Sequence, residues 1–97
     1  MYARVVTNQL QPGKKEQWMS IVRDSIVPAA KQQKGFKGFV VLKDPNSDKG
    51  IGYSMWETEA DLKANEANNF YQEQIAKLKG VLAETPVREI YEVIVLA

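Results

Sequence analysis

The segment that decides the fold runs from residue 36 to residue 57. It reads Phe36-Lys37-Gly38-Phe39-Val40-Val41-Leu42-Lys43, then Asp44-Pro45-Asn46-Ser47-Asp48-Lys49-Gly50, then Ile51-Gly52-Tyr53-Ser54-Met55-Trp56-Glu57. The two outer runs are rich in β-branched and aromatic residues, which suit a pleated, half-buried surface. The central seven residues are dense in turn formers, so the outer runs pair as antiparallel strands. Toward the N-terminus, Gly35 ends a helix predicted from Lys14 to about Lys34, whose apolar residues Trp18, Val22, Ile26 and Ala29 recur every three or four positions. Pro28 falls inside that pattern and lacks an N–H, so it should kink or shorten the helix. Ahead of the turn pair Pro12-Gly13, residues 2–10 read as the first strand.

Toward the C-terminus, Thr58 followed three residues later by Asp61 is a capping-box arrangement that opens a second helix. Its predicted inward stripe is Ala60, Ala64, Ala67, Tyr71, Ile75, Leu78 and Leu82, with Asn65 one residue off it. Asn68-Asn69 loosens this helix, and Gly80 is a candidate end. After Pro86, Val87 to Leu96 read as a last strand. The order is β-α-β-β-α-β. With right-handed crossovers it gives an α+β, ferredoxin-like fold: a four-stranded antiparallel sheet with both helices on one face. The runs Phe39–Leu42 and Val93–Leu96 are apolar on both sides, where a solvated face would alternate. A second copy of the chain is the expected cover, giving a homodimer through the sheet face.

The chain has 97 residues, 44% of them hydrophobic, which suits a single domain over residues 1–97. So small a core usually needs a supplement. Cysteine and histidine are both absent. That excludes a disulfide, a thiol nucleophile, imidazole acid–base catalysis, a histidine haem ligand and nearly every common zinc site. No metal and no cofactor are expected, and oligomerisation is left as the supplement. A net charge of +1 provides no global field for nucleic acid or membrane. No apolar run approaches the ~20 residues of a membrane span, and no basic-then-apolar leader opens the sequence, so a cytoplasmic location is expected. Lys34-Gly35-Phe36-Lys37-Gly38-Phe39-Val40 is similar to an RNA-recognition signature. Phe36 and Phe39, three apart, are expected on opposite faces of strand two, whereas base stacking needs both on one face.

Pro12-Gly13 before the first helix, Gly35-Phe36-x-Gly38-Phe39 opening strand two and Trp56-x-x-Glu59-Ala60 opening helix two occur in this order within a βαββαβ chain. Together they resemble the antibiotic-biosynthesis-monooxygenase domain of the dimeric α/β-barrel superfamily. The resemblance implies two sheets facing each other across a dimer to close a barrel. Members of that family include cofactor-independent quinol or anthrone monooxygenases, haem-degrading enzymes and autoinducer-processing enzymes, alongside many proteins without an assigned activity, and the resemblance implies one of these. Nine residues after the strand-three tryptophan, where many relatives carry histidine, this chain has Asn65. A strand-one asparagine of the haem-degrading branch falls at Val6, with Asn8 two positions on, and helix two has no histidine. Haem degradation is therefore not expected.

Strand one places Arg4, Val6 and Asn8 on one face at period two. If that face meets the helices, a guanidinium and an amide enter an apolar cleft, the usual sign of a binding site. Otherwise Arg4 should pair with Glu89 or Glu92, and Asn8 should make a strand-end turn contact. Trp56 shares its face with Gly52 and Ser54, whose small side chains leave room for a ligand or for the indole ring itself. The candidate catalytic residues are Trp56, Asn8 and Asn65; the candidate substrate-binding residues are Arg4, Val6, Tyr53, Tyr71 and Arg88. Two functions are weighed. One is a cofactor-independent monooxygenase of a small electron-rich aromatic. The other is a non-catalytic small-molecule-binding or stress-associated dimeric barrel.

Overall fold

The computed structural model describes residues 1–97. Strands β1 (Tyr2–Gln9), β2 (Phe36–Lys43), β3 (Lys49–Trp56) and β4 (Val87–Glu92) form one antiparallel sheet in the order β2-β3-β1-β4. Helices α1 (Lys15–Ile21), α2 (Val27–Lys31), α3 (Glu59–Ala67) and α4 (Phe70–Ala76) lie over one face. This is the ferredoxin-like α+β arrangement, and no helix is long and apolar enough to cross a membrane.

The hairpin forms as read, with β3 beginning two residues early because Lys49 and Gly50 pair with Gln9 and Asn8 of β1. A bulge between Phe36 and Gly38 corrects the expected placement of the two phenylalanines. One extra residue resets the alternation, so Phe36 pairs with Trp56 and Phe39 with Ser54. Both therefore lie on the side covered by helices. The last strand is shorter than expected. Val93 N–H makes one further bond, to the Met1 carbonyl, and the pairing with β1 ends there. The tail leaves the sheet there, with Ile94 79%, Val95 79% and Leu96 64% exposed. At the other end β1 stops at Gln9, and Leu10 turns away to bridge Leu82.

The first helix is divided by a π-helical turn, Val22–Ile26, in which Val27 N–H reaches the Val22 carbonyl. Pro28 has no N–H for the Asp24 carbonyl and its ring crowds that oxygen, so the helix widens for one turn instead of stopping. Gly35, at φ +82°, ends the connection to β2; a Cβ there would run into the Asp61 carboxylate. The second helix is capped as expected, Thr58 Oγ1 accepting from Asp61 N–H at 3.0 Å. It then breaks at Asn68-Asn69. Asn69 takes the left-handed conformation (φ 68°), and Asn68 Oδ1 accepts the Phe70 N–H at 3.0 Å, starting α4. The inward side of α3 is Leu62 and Asn65, while Ala60, Ala64 and Ala67 face solvent, which corrects the predicted stripe. Leu62 is the largest apolar side chain of α3 and is fully buried, and Asn65 finds a buried partner.

Leu10, Trp18, Val22, Ile26, Leu78 and Val81 form the core under the helices. The Trp18 ring lies directly on Gly50, where a Cβ would approach it to 2.6 Å. Gly50 has no positive φ, so only sterics forbid a side chain there. Gly50→Ala should therefore lower stability by ~1–3 kcal/mol in urea unfolding, the usual scale of overpacking. The Gly50→Ala/Trp18→Leu double variant should lose less than the sum of the single changes, because the first clash is then gone.

Candidate functional site

Burial alternates along β1, with Arg4, Val6 and Asn8 on the helix-covered side. Opposite them in the register of β3 stand Ser54, Gly52 and Gly50. Three small residues facing the helices leave space, and a cleft opens there. Arg4, Val6, Gly52 and Ser54 form its floor; Phe70, Tyr71 and Gln74 of α4 form much of its roof. Room for the centres of water-sized molecules amounts to ≈ 50 Å³, and the cleft with its open mouth spans ≈ 520 Å³.

Arg4 is the charged group of this floor and is only 5% exposed. Its Nη1 donates to Asn65 Oδ1 at 2.7 Å and to Glu66 Oε2 at 3.4 Å. The guanidinium lies over the Tyr71 ring at 4.5 Å and the Trp56 ring at 5.6 Å, both within cation–π range. Arg88 Nη1 donates to both oxygens of the same Glu66 carboxylate, at 3.0 and 3.2 Å. Two guanidinium groups thus share one carboxylate, leaving a single positive charge in excess. Burial lowers the Arg4 pKa from its ordinary value, with Glu66 and Tyr71 pulling it back. Burial likewise raises the Tyr71 phenol, opposed by Arg4 and Arg88.

The candidate residues separate on this geometry. Arg4, Val6 and Tyr71 line the cleft. Asn65 and Trp56 stand behind Arg4. Asn65 is buried with its Nδ2 on the Asp61 carbonyl at 3.3 Å, which orients its oxygen toward the guanidinium. Trp56 is fully buried and its indole N–H donates to Ser54 Oγ at 2.9 Å, so it packs as core and forms no part of the cleft wall. Its ring meets Phe36 edge-on at 5.7 Å. Arg88 holds Glu66 and does not reach the cleft. Asn8 is buried away from the cleft; its Oδ1 has no hydrogen-bond partner, and no turn contact forms. Tyr53 is paired between Val5 and Val40 on the opposite face of the sheet, since odd positions of β3 point away from the helices. Arg4 does not bond Glu89 or Glu92. Glu89 pairs with Val5 on the far face, and Glu92 accepts from the Tyr2 hydroxyl at 3.2 Å.

Sequence reading missed Glu66, Phe70 and Gln74. The last two enter because the break at Asn69 rotates α4 relative to α3. Glu66 looks like any surface carboxylate in the sequence; only the fold sets it between Arg4 and Arg88. No group of three or more His, Cys, Asp or Glu is clustered to hold a metal ion.

A family model, antibiotic biosynthesis monooxygenase, matches residues 1–77. The chain belongs to that family. Solved structures of the antibiotic biosynthesis monooxygenase fold superpose along the full chain. ActVA-Orf6, a Streptomyces coelicolor monooxygenase solved with nanaomycin D, has a TM-score of 0.80 at 17% identity, covering 99% of this chain and 91% of its own. SnoaB, a cofactor-independent oxygenase of Streptomyces nogalater, gives 0.78 at 12% identity, covering 98% and 94%. The NE2512 protein of unknown function from Nitrosomonas europaea gives 0.80 at 20% identity, covering 99% and 91%. No curated protein matches the chain.

Two outcomes test the arrangement within this family member. Glu66→Gln should cost about 1–3 kcal/mol in urea unfolding, since it strips the charged partner from a buried guanidinium while Asn65 still accepts from it. Tyr71 has a raised folded pKa, so its contribution is complete below the unfolded value of 10.0 and is lost as pH rises through the folded value. Unfolding between about pH 9 and about pH 11 should therefore show a smaller loss of stability in Tyr71→Phe than in the wild type.

Proposed function

We propose that this protein is a cofactor-independent monooxygenase of a small electron-rich aromatic, of quinol, anthrone or polyketide type, working as a homodimer. The observation that carries the reading is Arg4, a buried guanidinium on the floor of an apolar cleft whose Nε and Nη2 make no bond within the chain. Such a group stabilises negative charge on a ligand oxygen far better than it would in water. The deprotonated aromatic supplies the electrons. It gives one to O₂, the radical and superoxide join as a carbon-bound peroxide, and loss of water leaves a carbonyl. One oxygen atom enters the product and the other leaves as water with two hydrogens, both from the oxidised carbon of an anthrone, or one from the ring carbon and one from a hydroxyl of a quinol. The protein holds the oxyanion on Arg4 and keeps the ring among Phe39, Phe70 and Ile75, away from bulk water. Without an imidazole, removal of the first proton depends on the acidity of the substrate itself.

A second reading, a binding barrel without turnover, is favoured by the narrow interior. Room of ≈ 50 Å³ is well below the about 150 Å³ of a cavity that admits benzene. Oxygen uptake separates the two. With a dihydroxynaphthalene-type quinol and no added flavin or metal, uptake should exceed buffer, be unaffected by chelator and rise toward the phenolic pKa. Arg4→Ala should lose more rate than Arg4→Lys, because the latter keeps a charge without the guanidinium fork. Tight quinol binding with no uptake above buffer would establish the second reading.

Support for the dimer comes from the uncovered sheet face. Val5, Val40, Leu42, Tyr53, Met55 and Tyr91 share it by register, and the chain lays nothing over it. Leu42 and Tyr91 are 48% and 50% exposed in the single chain. A face this apolar is a binding surface. Sedimentation equilibrium should give ~22 kDa, twice the 11.0 kDa of one chain, and Leu42→Lys/Tyr91→Lys should shift it toward monomer, as charges buried in an interface do. A wild-type mass of one chain would overturn the dimer.

A further inference from the structure

Arg4, Ser54, Tyr71 and Gln74 are the hydrogen-bonding side chains of the cleft. Ser54 Oγ accepts the Trp56 indole N–H at 2.9 Å, which leaves its own O–H to donate. Gln74 is 7% exposed, and its Oε1 accepts from Lys77 Nζ at 2.7 Å. That bond sets the amide, because an ammonium can only donate, and it leaves the two N–H groups of Gln74 without a partner in the chain. Arg4 adds Nε and Nη2, also unpartnered. The cleft therefore offers donors from three side chains, with the Tyr71 hydroxyl able to donate or accept. Glu66 neutralises one of the two guanidinium charges beside it, and the other remains. A cationic ligand meets repulsion here, and a neutral donor finds acceptors only in the Tyr71 hydroxyl and the second lone pair of Ser54 Oγ. Oxygen acceptors carrying one negative charge fit.

We propose that the cleft selects a monoanion with two neighbouring acceptor oxygens on an apolar, flat body, and that Gln74, its amide oriented by Lys77, reads the second oxygen while Arg4 holds the first. The inference rests on the reading of this cleft as the ligand site and specifies what it takes. Two kinds of head group have this chemistry: a carboxylate, and the oxyanion–carbonyl pair of a hydroxyquinone. Gln74 is then a specificity-determining residue and Lys77 a positioning residue outside the cleft.

Calorimetric titration tests this with four probes at neutral pH. 2-Naphthoate and 2-hydroxy-1,4-naphthoquinone, the latter ionised, carry the charge; 2-naphthamide and 2-methoxy-1,4-naphthoquinone are their neutral counterparts. Wild-type protein should bind at least one anion ~10-fold or more tighter than its neutral counterpart, as expected for a charge-assisted bond in a buried setting. Gln74→Leu should weaken that anion ~10-fold and the neutral probe less, since a bond to an uncharged oxygen contributes less. Lys77→Met should weaken it less, and Lys77→Arg should restore it. Preference for naphthoate alone identifies an acid ligand, and preference for the hydroxyquinone alone a quinol-type one. Equal binding of charged and neutral partners, or an unaltered anion affinity in Gln74→Leu, would overturn the inference while leaving the cleft as a ligand site. If no probe binds wild type, both the inference and the cleft reading fall. Should Gln74→Leu not fold, the wild-type charge comparison and the Lys77 pair decide.

Discussion

Removing a guanidinium from water costs several kcal/mol unless its N–H groups meet acceptors, and in this chain Arg4 sits on β1, one of the two central strands of the sheet, under the helices. Much of the surrounding architecture answers that cost. The α3 helix crosses where Asn65 and Glu66 can accept from it, and the Thr58 cap starts α3 at the right point. Arg88 on β4 donates to both oxygens of the same carboxylate, so one anion links the sheet to the helix layer through two strands. The rings of Trp56 and Tyr71 close over the faces of the guanidinium, where water would otherwise stand. Packing on this side is organised around a polar group, and the all-apolar core lies toward Leu10, Trp18 and Val81.

The break at Asn68-Asn69 is the second consequence. A continuous helix would carry its phase from Leu62 and Asn65 onward. The left-handed Asn69 changes direction, and the Phe70 N–H that loses its helical partner is taken by the Asn68 side chain. The redirected α4 brings Tyr71 onto Arg4 and Gln74 over the cleft. Backbone strain of this kind, at a residue other than glycine, is found where a binding surface needs a particular side-chain direction.

The two faces of the sheet do different work. Small residues on the helix side, Gly50, Gly52 and Ser54, admit Trp18, the Phe39 ring and the cleft. Larger ones on the other side, Ile51, Tyr53 and Met55, form a continuous apolar surface. Period-two alternation alone generates this division, and a one-residue slip of β3 would exchange the cleft for the apolar surface.

Much of the fold was legible because it depends on local signals. Turn formers at 44–50, the Thr58 cap and the apolar periods at Trp18, Val22 and Ile26 act within a few residues of themselves, so the sequence determined the four strands, the two helical segments and their order, while the division of each segment into two helices came with the structure. The shared face of Arg4, Val6 and Asn8 follows from the pleat for the same reason. What those side chains meet does not, because their partners lie far away in the chain. Arg4 is 62 residues from Glu66, and Arg88 reaches Glu66 across 22. The bulge that puts Phe36 and Phe39 on one side, the end of the β4 pairing at Val93, and the helix break that aims Gln74 inward depend on register and packing. Long-range hydrogen bonding and close packing settled these only when the layers came together, and with them the cleft, its charge and the identity of the groups that line it.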